Sequence, residues 1–331
     1  MAKLLVTGGA GYVGSHALRA LLHAGHRAVV IDDLRAGYAD ACKGAPLLQL
    51  DVADRSGLAR VFADHGPFDG VLHFAASISV PESIAQPLGY YRNNVEASLA
   101  LIEAAVANRV GAFVLSSTAA VYGSPEKQPI QEDAPLAPQS PYGASKAMVE
   151  RLLADVQVAH ALPWMALRYF NASGADPEGG LGERHDPESH LIPLALEAAA
   201  GLRPRLSIYG SDYPTPDGTC VRDYVHVSDL AEAHLRALEL LLAGEPGGAF
   251  NLGTGRGHSI REVLAVVERV TQRKVPVAAD GRRPGDPAVL VADATRFRAR
   301  SGWTARLSEL DTIVTTAWDW LRRWRGLSGS S

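Results

Sequence analysis

Tyr142 and Lys146 are two residues whose types and spacing could carry out acid–base chemistry. They lie four positions apart in a segment with a helical pattern, so a helix places the phenol and the ammonium on one face, about one turn apart. A nearby Lys favours the phenolate, and a phenolate near neutral pH can take a proton from a sugar or alcohol hydroxyl. Many helices carry such a pair by chance, so this interpretation depends on the rest of the chain.

A glycine-rich turn near the N-terminus has the pattern of a dinucleotide-binding site. An apolar run at 3–7 leads into residues 8–14, which contain four glycines, and a predicted helix follows to about residue 24. A second apolar run at 28–31 ends at Asp32. The glycines let the backbone approach a pyrophosphate at the helix N-terminus. Asp32 could accept a hydrogen bond from the adenosine ribose and would repel a 2′-phosphate, which favours NAD over NADP.

Strands and helices continue to alternate as far as the middle of the chain. The pattern predicts strands at 47–50, 70–74, 112–115 and 164–168, and helices at 55–65, 88–108 and 142–160. Such an alternation predicts an α/β fold with a doubly wound parallel sheet, the Rossmann type. Ligands bind in these sheets at the carboxyl ends of the strands, where this chain has Gly8, Asp32, Asp51, Ala75 and Ser116. These residues are therefore expected to line one crevice.

The second half of the chain has a weaker pattern. Gly and Pro cluster at 174–187, a polar loop covers 209–220, and helices are predicted near 191–200, 228–243, 259–272 and 306–324. We predict an NAD-binding domain at 1–172, to which 220–252 returns, a smaller mixed α/β substrate lobe mostly within 173–325, and a flexible tail at 326–331.

Composition limits the class of protein. The 331 residues are 47% hydrophobic and 21% charged, with a net charge of −4 and no basic run, which argues against nucleic acid or an anionic membrane as main partner.

Two cysteines, Cys42 and Cys220, suit free thiols in a reducing compartment, and no Cys/His cluster has zinc-ligand spacing, so no metal site is predicted. Without a signal pattern or a long apolar run, the expected location is the cytoplasm.

Several motifs in one order resemble the extended short-chain dehydrogenase/reductase family. They are Gly8-x-x-Gly11-x-x-Gly14, Ser117-Thr118 ahead of Tyr142-x-x-x-Lys146, and Tyr169-Phe170-Asn171. Within that family the chain looks like a nucleotide-sugar 4-epimerase over about 1–325, most specifically at 9–16, 90–94, 138–143 and 213–224. The resemblance implies the interconversion of UDP-galactose and UDP-glucose through a transient 4-keto sugar, with tightly bound NAD that is not consumed.

The resemblance also implies roles for individual residues. Tyr142 would be the catalytic base, Lys146 would lower its pKa, and Ser117 or Thr118 would share the proton of the 4-hydroxyl. The implied NAD-binding residues are Gly8, Gly11, Tyr12, Val13, Gly14, Asp32, Asp33, Asp51, Val52, Phe74, Ala75, Ala76, Asn94, Ser116, Tyr142, Lys146 and Tyr169. The implied substrate-binding residues are Thr118, Tyr142, Asn171, His190, Leu191, Ser207, Tyr209, Arg222, Arg283, Asp286 and Leu290.

Departures from the family pattern narrow the activity. Ala119 and Ala120 stand where related dehydratases carry an Asp-Glu pair and related decarboxylases keep a Glu, so both of those reactions are disfavoured. Ile78 replaces a Lys near the NAD phosphates, and His190 replaces a frequent Asn beside the sugar. Leu290 stands where a bulky Tyr closes the hexose pocket, which predicts room for an N-acetyl group, and so for UDP-GalNAc and UDP-GlcNAc.

Other readings remain open from the sequence. The same residues could epimerise a UDP-pentose or a UDP-uronic acid, release NADH as a net dehydrogenase, or belong to an NAD-binding sensor without activity. In the family, helices at about 88–108 and 142–160 form a homodimer interface, and here they carry apolar positions at Val95, Leu99, Ile102, Met148, Leu152 and Val156. Burial within one chain would explain the same positions equally well.

Overall fold

The computed structural model describes residues 1–283 and 286–327. Its strands are β1 Lys3–Thr7, β2 Arg27–Asp32, β3 Leu47–Gln49, β4 Gly70–His73, β5 Ala112–Thr118, β6 Trp164–Tyr169, β7 Asn171–Ser173, β8 Leu206–Tyr209, β9 Val221–Arg222, β10 Tyr224–His226, β11 Gly248–Leu252, β12 His258–Ser259, β13 Val277–Asp280 and β14 Val289–Leu290.

The α-helices lie between these strands. They are α1 Tyr12–His23, α2 Arg55–His65, α3 Val80–Ala85, α4 Pro87–Tyr91, α5 Ala97–Ala107, α6 Pro141–His160, α7 Leu191–Ala199, α8 Val227–Leu242, α9 Ile260–Thr271, α10 Thr295–Ser301 and α11 Leu310–Arg325. Short 3₁₀ turns cover Ala39–Cys42 and Ala119–Tyr122, and a π-helical segment covers Arg92–Glu96.

Seven strands form one parallel sheet in the order β11-β6-β5-β4-β1-β2-β3. The chain winds outward from β1 in one direction through β2 and β3, and then in the other through β4, β5 and β6. The order therefore reverses beside β1, and a crevice opens there at the carboxyl ends of the strands. This confirms the predicted doubly wound α/β fold.

Both faces of the sheet are buried, because alternate residues of each strand pack against helices on opposite sides. In β1, Leu4 and Val6 join a core with α1 and α8, whereas Leu5 joins a core with α2, α5 and α6. A third apolar cluster lies away from the sheet, among α7, α9 and α11. The segment predicted to return contains α8 and β11, and β11 pairs with β6 at the sheet edge. The domain boundaries themselves stay predictions.

Two predicted helices differ from the structure. The helix predicted at 88–108 is divided by the π-helical segment, which widens one turn and places Asn94 inside the protein. The helix predicted at 306–324 begins only at Leu310, because the buried carboxylate of Asp229 accepts the backbone N–H groups of Arg306 and Leu307 at 3.1 and 2.9 Å and holds them in a loop.

Short strands escaped the sequence pattern. Strands of two or three residues, such as β7, β9, β12 and β14, are too short to show alternation. Cys42 and Cys220 are both free and buried. Of the described helices, none combines the length and apolar character needed to cross a membrane. Residues 328–331 of the predicted tail lie outside the described residues, while Gly326 and Leu327 cap α11.

A buried histidine in α8 makes stability depend on pH. His234 is fully buried, its Nδ1–H donates to the Leu230 carbonyl at 2.7 Å, and its Nε2 has no partner among the described residues. Burial lowers the pKa of His234 to about 4. The unfolded chain therefore binds one more proton here than the folded chain between pH 6.5 and about 4, so stability falls as the pH drops through that window.

We expect His234→Gln to reduce that loss by up to about 1.4 kcal/mol per pH unit, as urea unfolding between pH 7 and pH 4.5 would measure. His23→Gln is the matched control, since His23 is exposed at the end of α1. Identical pH slopes for His234→Gln and the unaltered protein would contradict the assignment.

Candidate active site

The glycine turn joins β1 to α1 with very little space. Gly8 has a φ of +71°, and a Cβ there would lie 2.4 Å from the backbone nitrogen of Ala75. A Cβ on Gly14 would lie 2.1 Å from the carbonyl oxygen of Gly8. Gly11 is the N-cap of α1 and offers no side chain, so the first N–H groups of α1, including those of Tyr12 and Val13, are left for another acceptor. The turn thus has the form of an anion cradle.

Asp32 ends β2 beside this turn. One carboxylate oxygen accepts the backbone N–H of Ala10 at 3.0 Å, and the other accepts that of Leu34 at 2.9 Å. These bonds fix the carboxylate at the carboxyl edge of the sheet. Burial raises the pKa of Asp32, and the same bonds oppose that rise.

Other predicted cofactor residues lie along the same edge. Phe74, Ala75 and Ala76 follow β4, half-buried, whereas Asp51 lies exposed after β3, ahead of the buried Val52. Asp33 instead pairs with Arg35 at 2.5 Å. The structure thus brings Gly8, Asp32, Ala75 and Ser116 to adjacent strand ends, as the sequence predicts.

Asn94 connects the segment after β4 to α6. Its amide accepts the backbone N–H of Ser77 at 2.8 Å and donates to the Ser77 carbonyl and to the Ser145 hydroxyl, both at 3.0 Å. Ser145 in turn donates to the carbonyl of Tyr142 at 2.7 Å. Through Ser145, Asn94 therefore helps to position the backbone of Tyr142.

Tyr142 lies in the first turn of α6, which begins at Pro141 and is capped by the Ser140 side chain. Its ring is 9% exposed, and its hydroxyl faces the side chain of Thr118 at the end of β5. Burial raises the pKa of Tyr142, with Tyr169 and Tyr90 adding to the rise, and the hydrogen bond with Thr118 opposes it. The polypeptide alone therefore keeps the phenol of Tyr142 protonated. Lys146, which the sequence predicts to lower the pKa of Tyr142, is not among the groups that shift this pKa.

Lys146 lies one turn after Tyr142, and its ammonium donates to the carbonyl of Ser116 at 2.9 Å. Burial lowers the pKa of Lys146 to about 8, against an opposing effect of Glu150. The Ser116 hydroxyl shares a hydrogen bond of 2.8 Å with the hydroxyl of Tyr169 at the end of β6. The buried ammonium of Lys146 thus lies with the hydroxyl-bearing side chains of Ser116, Thr118 and Tyr169 at the ends of β5 and β6.

Ser117 faces the middle of α6. Its hydroxyl donates to Glu150, which also accepts two bonds of 3.0 Å from Nε of Arg168. Successive residues of a strand point to opposite faces, so the side chains of Ser116 and Thr118 lie on the face of β5 opposite that of Ser117. Of the two hydroxyls that the sequence left open, only that of Thr118 faces Tyr142.

A cationic region lies beside β9 and β14, where Arg222 and Arg283 are close to Asp286 and Tyr209. Arg222 pairs with Asp286, and its other guanidinium nitrogen donates to the carbonyl of Val221 at 2.8 Å. Arg283 stacks on the ring of Tyr209 at 3.8 Å. Two guanidiniums and an adjacent carboxylate are suited to a diphosphate and a ribose, respectively.

The other predicted substrate residues surround this region. Asn171 donates from its amide to the carbonyl of Asp223 at 2.9 Å, and Leu290 pairs with Arg222 between β14 and β9. His190 is the N-cap of α7, Leu191 is its first residue, and Ser207 lies in β8. His190 bonds Glu183, so its side chain is engaged with the protein.

A loop at 174–190 closes over the glycine turn, which the sequence did not predict. The Tyr12 hydroxyl donates to the carbonyl of Gly174 at 2.6 Å, Arg184 pairs with Asp40 at 2.7 Å, and Arg19 pairs with Asp176. A cavity remains between this loop and the turn, bordered by Gly11, Tyr38, Gly182 and His185.

Two buried acids were also missed. Glu150 lies four residues after Lys146 on the same helix face, which was an available signal, but its partner Arg168 is distant in sequence. Asp223 is fully buried and accepts the backbone N–H groups of Thr254, Gly255 and Ala292 at 3.0, 3.1 and 3.2 Å. It thereby ties the segment carrying Arg222 to the end of β11.

Residues 4–253 match the model of the NAD dependent epimerase/dehydratase family. The chain belongs to this family. A UDP-glucose 4-epimerase of Azospirillum brasilense is 52% identical over 321 residues, which are 97% of this chain and 92% of that protein. This confirms the resemblance seen in the sequence motifs.

Solved structures of related proteins agree with the NAD-dependent epimerase/dehydratase fold. The UDP-glucose 4-epimerase of Brucella ovis in complex with NAD is 46% identical, with a TM-score of 0.93, over 96% of this chain and 98% of that chain. That of Bifidobacterium longum in complex with NAD⁺ and UDP is 36% identical, with a TM-score of 0.92, over 97% of this chain and 98% of that chain.

Proposed function

We propose that this protein is an NAD-dependent UDP-hexose 4-epimerase that interconverts UDP-galactose and UDP-glucose. The observation that carries the proposal is the pairing of Tyr142 with Thr118 at the crevice, with Lys146 one helical turn behind. A sensor without activity has no need of these three side chains together. The 52% identity to the Azospirillum enzyme over almost the whole chain supports the same activity.

The residues of the crevice fit NAD. Gly8 and Gly14 have no room for a Cβ, so the turn packs tightly at the N-terminus of α1, and Asp32 is fixed where an adenosine ribose would meet a carboxylate. When bound, NAD supplies a positive charge that favours the phenolate of Tyr142, accepts a hydride from C4 of the sugar and returns it. Since burial, Tyr169 and Tyr90 raise the pKa of Tyr142 and only the hydrogen bond with Thr118 opposes them, the phenolate needs such a charge.

The chain's own residues then carry the proton and hold the sugar nucleotide. Tyr142 takes the proton of the 4-hydroxyl and gives it back, while Thr118 shares it. Arg222 and Arg283 hold the diphosphate, so that the 4-keto sugar stays bound while its ring turns over. Ala119 and Ala120 follow Thr118 in a 3₁₀ turn and offer no carboxylate to drive the loss of water.

Incubation of the purified protein with UDP-glucose and no added NAD tests the proposal. We expect UDP-galactose to form, because the cofactor is retained and regenerated in each turnover. Release of NADH without UDP-galactose would indicate a net dehydrogenase. Absence of any conversion, with NAD bound, would indicate a sensor. Conversion of a UDP-pentose or UDP-uronic acid in place of UDP-glucose would correct the substrate.

The small side chain of Leu290 supports a wider sugar range. It packs half-buried against the cluster of Val121, Tyr122 and Ile130, next to the turn that follows Thr118. We expect kcat/KM for UDP-GlcNAc to lie within about tenfold of that for UDP-glucose, and Leu290→Tyr to lower it by a further tenfold or more. UDP-glucose turnover is the internal control. Undetectable UDP-GlcNAc turnover by the unaltered protein would contradict this prediction.

We further propose a homodimer in the cytoplasm, formed through 88–108 and 142–160. Met148 is 46% exposed, and Leu99, Leu152 and Val156 are half-buried, which supports a free apolar face. Ile102 does not contribute, because it is buried against the sheet. Light scattering after size exclusion would measure the mass, and Leu152→Asp is expected to give monomers.

A further inference from the structure

Two histidines and two glutamates converge just before α7. They follow the spacing Glu183-x-His185-x-x-Glu188-x-His190, and one ligand atom from each lies within 4.8 Å of all the others. The cluster contains no cysteine, so Cys/His spacing in the sequence does not indicate it. Its signal was the repeated acid-x-His pattern within eight residues.

The donor atoms lie close enough together to bind one metal ion. Nδ1 of His185 lies 3.0 Å from Oε1 of Glu183 and 3.8 Å from Oε1 of Glu188, and Nδ1 of His190 lies 3.7 Å from Oε1 of Glu188. Four donors at about 2.0 Å from Zn²⁺ are separated from one another by about 3.3 Å in a regular tetrahedron. Small shifts of the side chains would therefore bring all four to bonding distance.

A metal ion would also neutralise the two buried carboxylates. Their side chains are only 6% and 8% exposed, and the ion pairs of the described residues give them no partner other than the two histidines. Arg184, between Glu183 and His185, points away and pairs with Asp40. Buried carboxylates are stable only when they are paired or bind a metal.

Backbone contacts hold the cluster in place. The indole N–H of Trp320 donates to the carbonyl of Glu183 at 3.0 Å, and the backbone N–H groups of Ser189 and His190 donate to Oε1 of Glu188 at 2.7 and 2.8 Å. Such outer contacts orient ligands before a metal binds.

We propose that Glu183, His185, Glu188 and His190 bind one Zn²⁺ ion in a closed, structural site. Two imidazole nitrogens and two carboxylate oxygens suit zinc better than calcium or magnesium, which prefer six or more oxygens. All four positions are taken by protein, so the ion fixes the loop and has no part in proton transfer. The rings of His185 and Tyr12 form a T-shaped contact with centroids 6.1 Å apart. The metal site would therefore hold the 174–190 loop against the glycine turn.

Zinc titration of the chelator-treated full-length protein, in competition with a chromogenic chelator, tests this site. We expect one Zn²⁺ per chain, and affinity lowered by about 100-fold or more in Glu188→Gln and in His185→Gln. His23→Gln, an exposed histidine, is the matched control and should bind as the unaltered protein does. Co²⁺ in place of Zn²⁺ should give the strong visible absorption of tetrahedral coordination.

The proposal would be overturned if the unaltered protein bound no stoichiometric Zn²⁺, or if the two ligand variants bound Zn²⁺ as well as the unaltered protein does. The cluster would then be a set of ion pairs between protonated histidines and carboxylates. The first of these outcomes needs no variant, so misfolding of a variant cannot obscure it. Thermal unfolding gives a second measure: Zn²⁺ should raise the Tm of the unaltered protein and not that of Glu188→Gln. None of these readouts depends on epimerase activity.

Discussion

Tyr142→Phe is expected to lower kcat for UDP-glucose by about 10³-fold, within the range of about 10² to 10⁴ that a positioned acid–base group contributes. The phenol is the group that faces Thr118 at the strand ends, and phenylalanine keeps the ring while it removes the only atom able to move the proton. KM should change little, because the sugar nucleotide is held through its diphosphate by residues elsewhere. Conversion of UDP-glucose by the purified variant, with its NAD content measured after denaturation, would check both points.

A matched control removes a buried hydroxyl outside the proton path. Tyr213 is 5% exposed, and its hydroxyl has no hydrogen-bond partner among the described residues. Tyr213→Phe should therefore fold and turn over normally. If Tyr142→Phe kept more than about a tenth of the activity while holding NAD, Tyr142 could not be the essential base.

Arg168→Met is expected to destabilise the fold by about 3–5 kcal/mol, because it leaves the Glu150 carboxylate buried without its cation. The two side chains are 6% and 4% exposed, and Nη1 of Arg168 also donates to the hydroxyl of Tyr122 at 2.7 Å. The pair bonds Ser117 on the face of the sheet that packs against α6, about two helical turns after Tyr142. Urea or thermal unfolding would measure the loss.

An exposed ion pair on the same helix provides the control. Arg151 pairs with Asp155 at 2.9 Å, with side chains 79% and 60% exposed, and Arg151→Met should cost less than about 1 kcal/mol. The double variant Arg168→Met with Glu150→Gln should recover part of the stability, since no buried charge is left unpaired. Equal costs for the two arginine substitutions would show that the buried pair is not a structural element.

The sequence predicted what depends on local spacing. The glycine turn, the alternation of strands and helices and the position of Asp32 all follow from patterns within about thirty residues, and the parallel sheet follows from them. The four-residue spacing of Tyr142 and Lys146 predicted that both side chains lie on one face of a helix. The substrate residues, such as Arg222 and Arg283, came only from the family resemblance, because a polar loop has no pattern of its own.

Features that join distant segments could not be predicted. The Glu150–Arg168 pair needs the register between α6 and β6, and the bonds of Asp223 join residues about thirty and seventy positions away. The raised pKa of Tyr142 is a property of its burial, which residue types alone do not give. The choice between Ser117 and Thr118 depended on which face of β5 each occupies.

The contacts of the 174–190 loop with Tyr12, Arg19 and Asp40 have a consequence for how the dinucleotide is exchanged with solution. These contacts cross from residues early in the chain to residues more than 140 positions later, so the crevice is complete only after both halves have folded together. A molecule held beneath the loop is expected to leave more slowly while these contacts hold. Slow release would let a single molecule of cofactor serve many catalytic cycles.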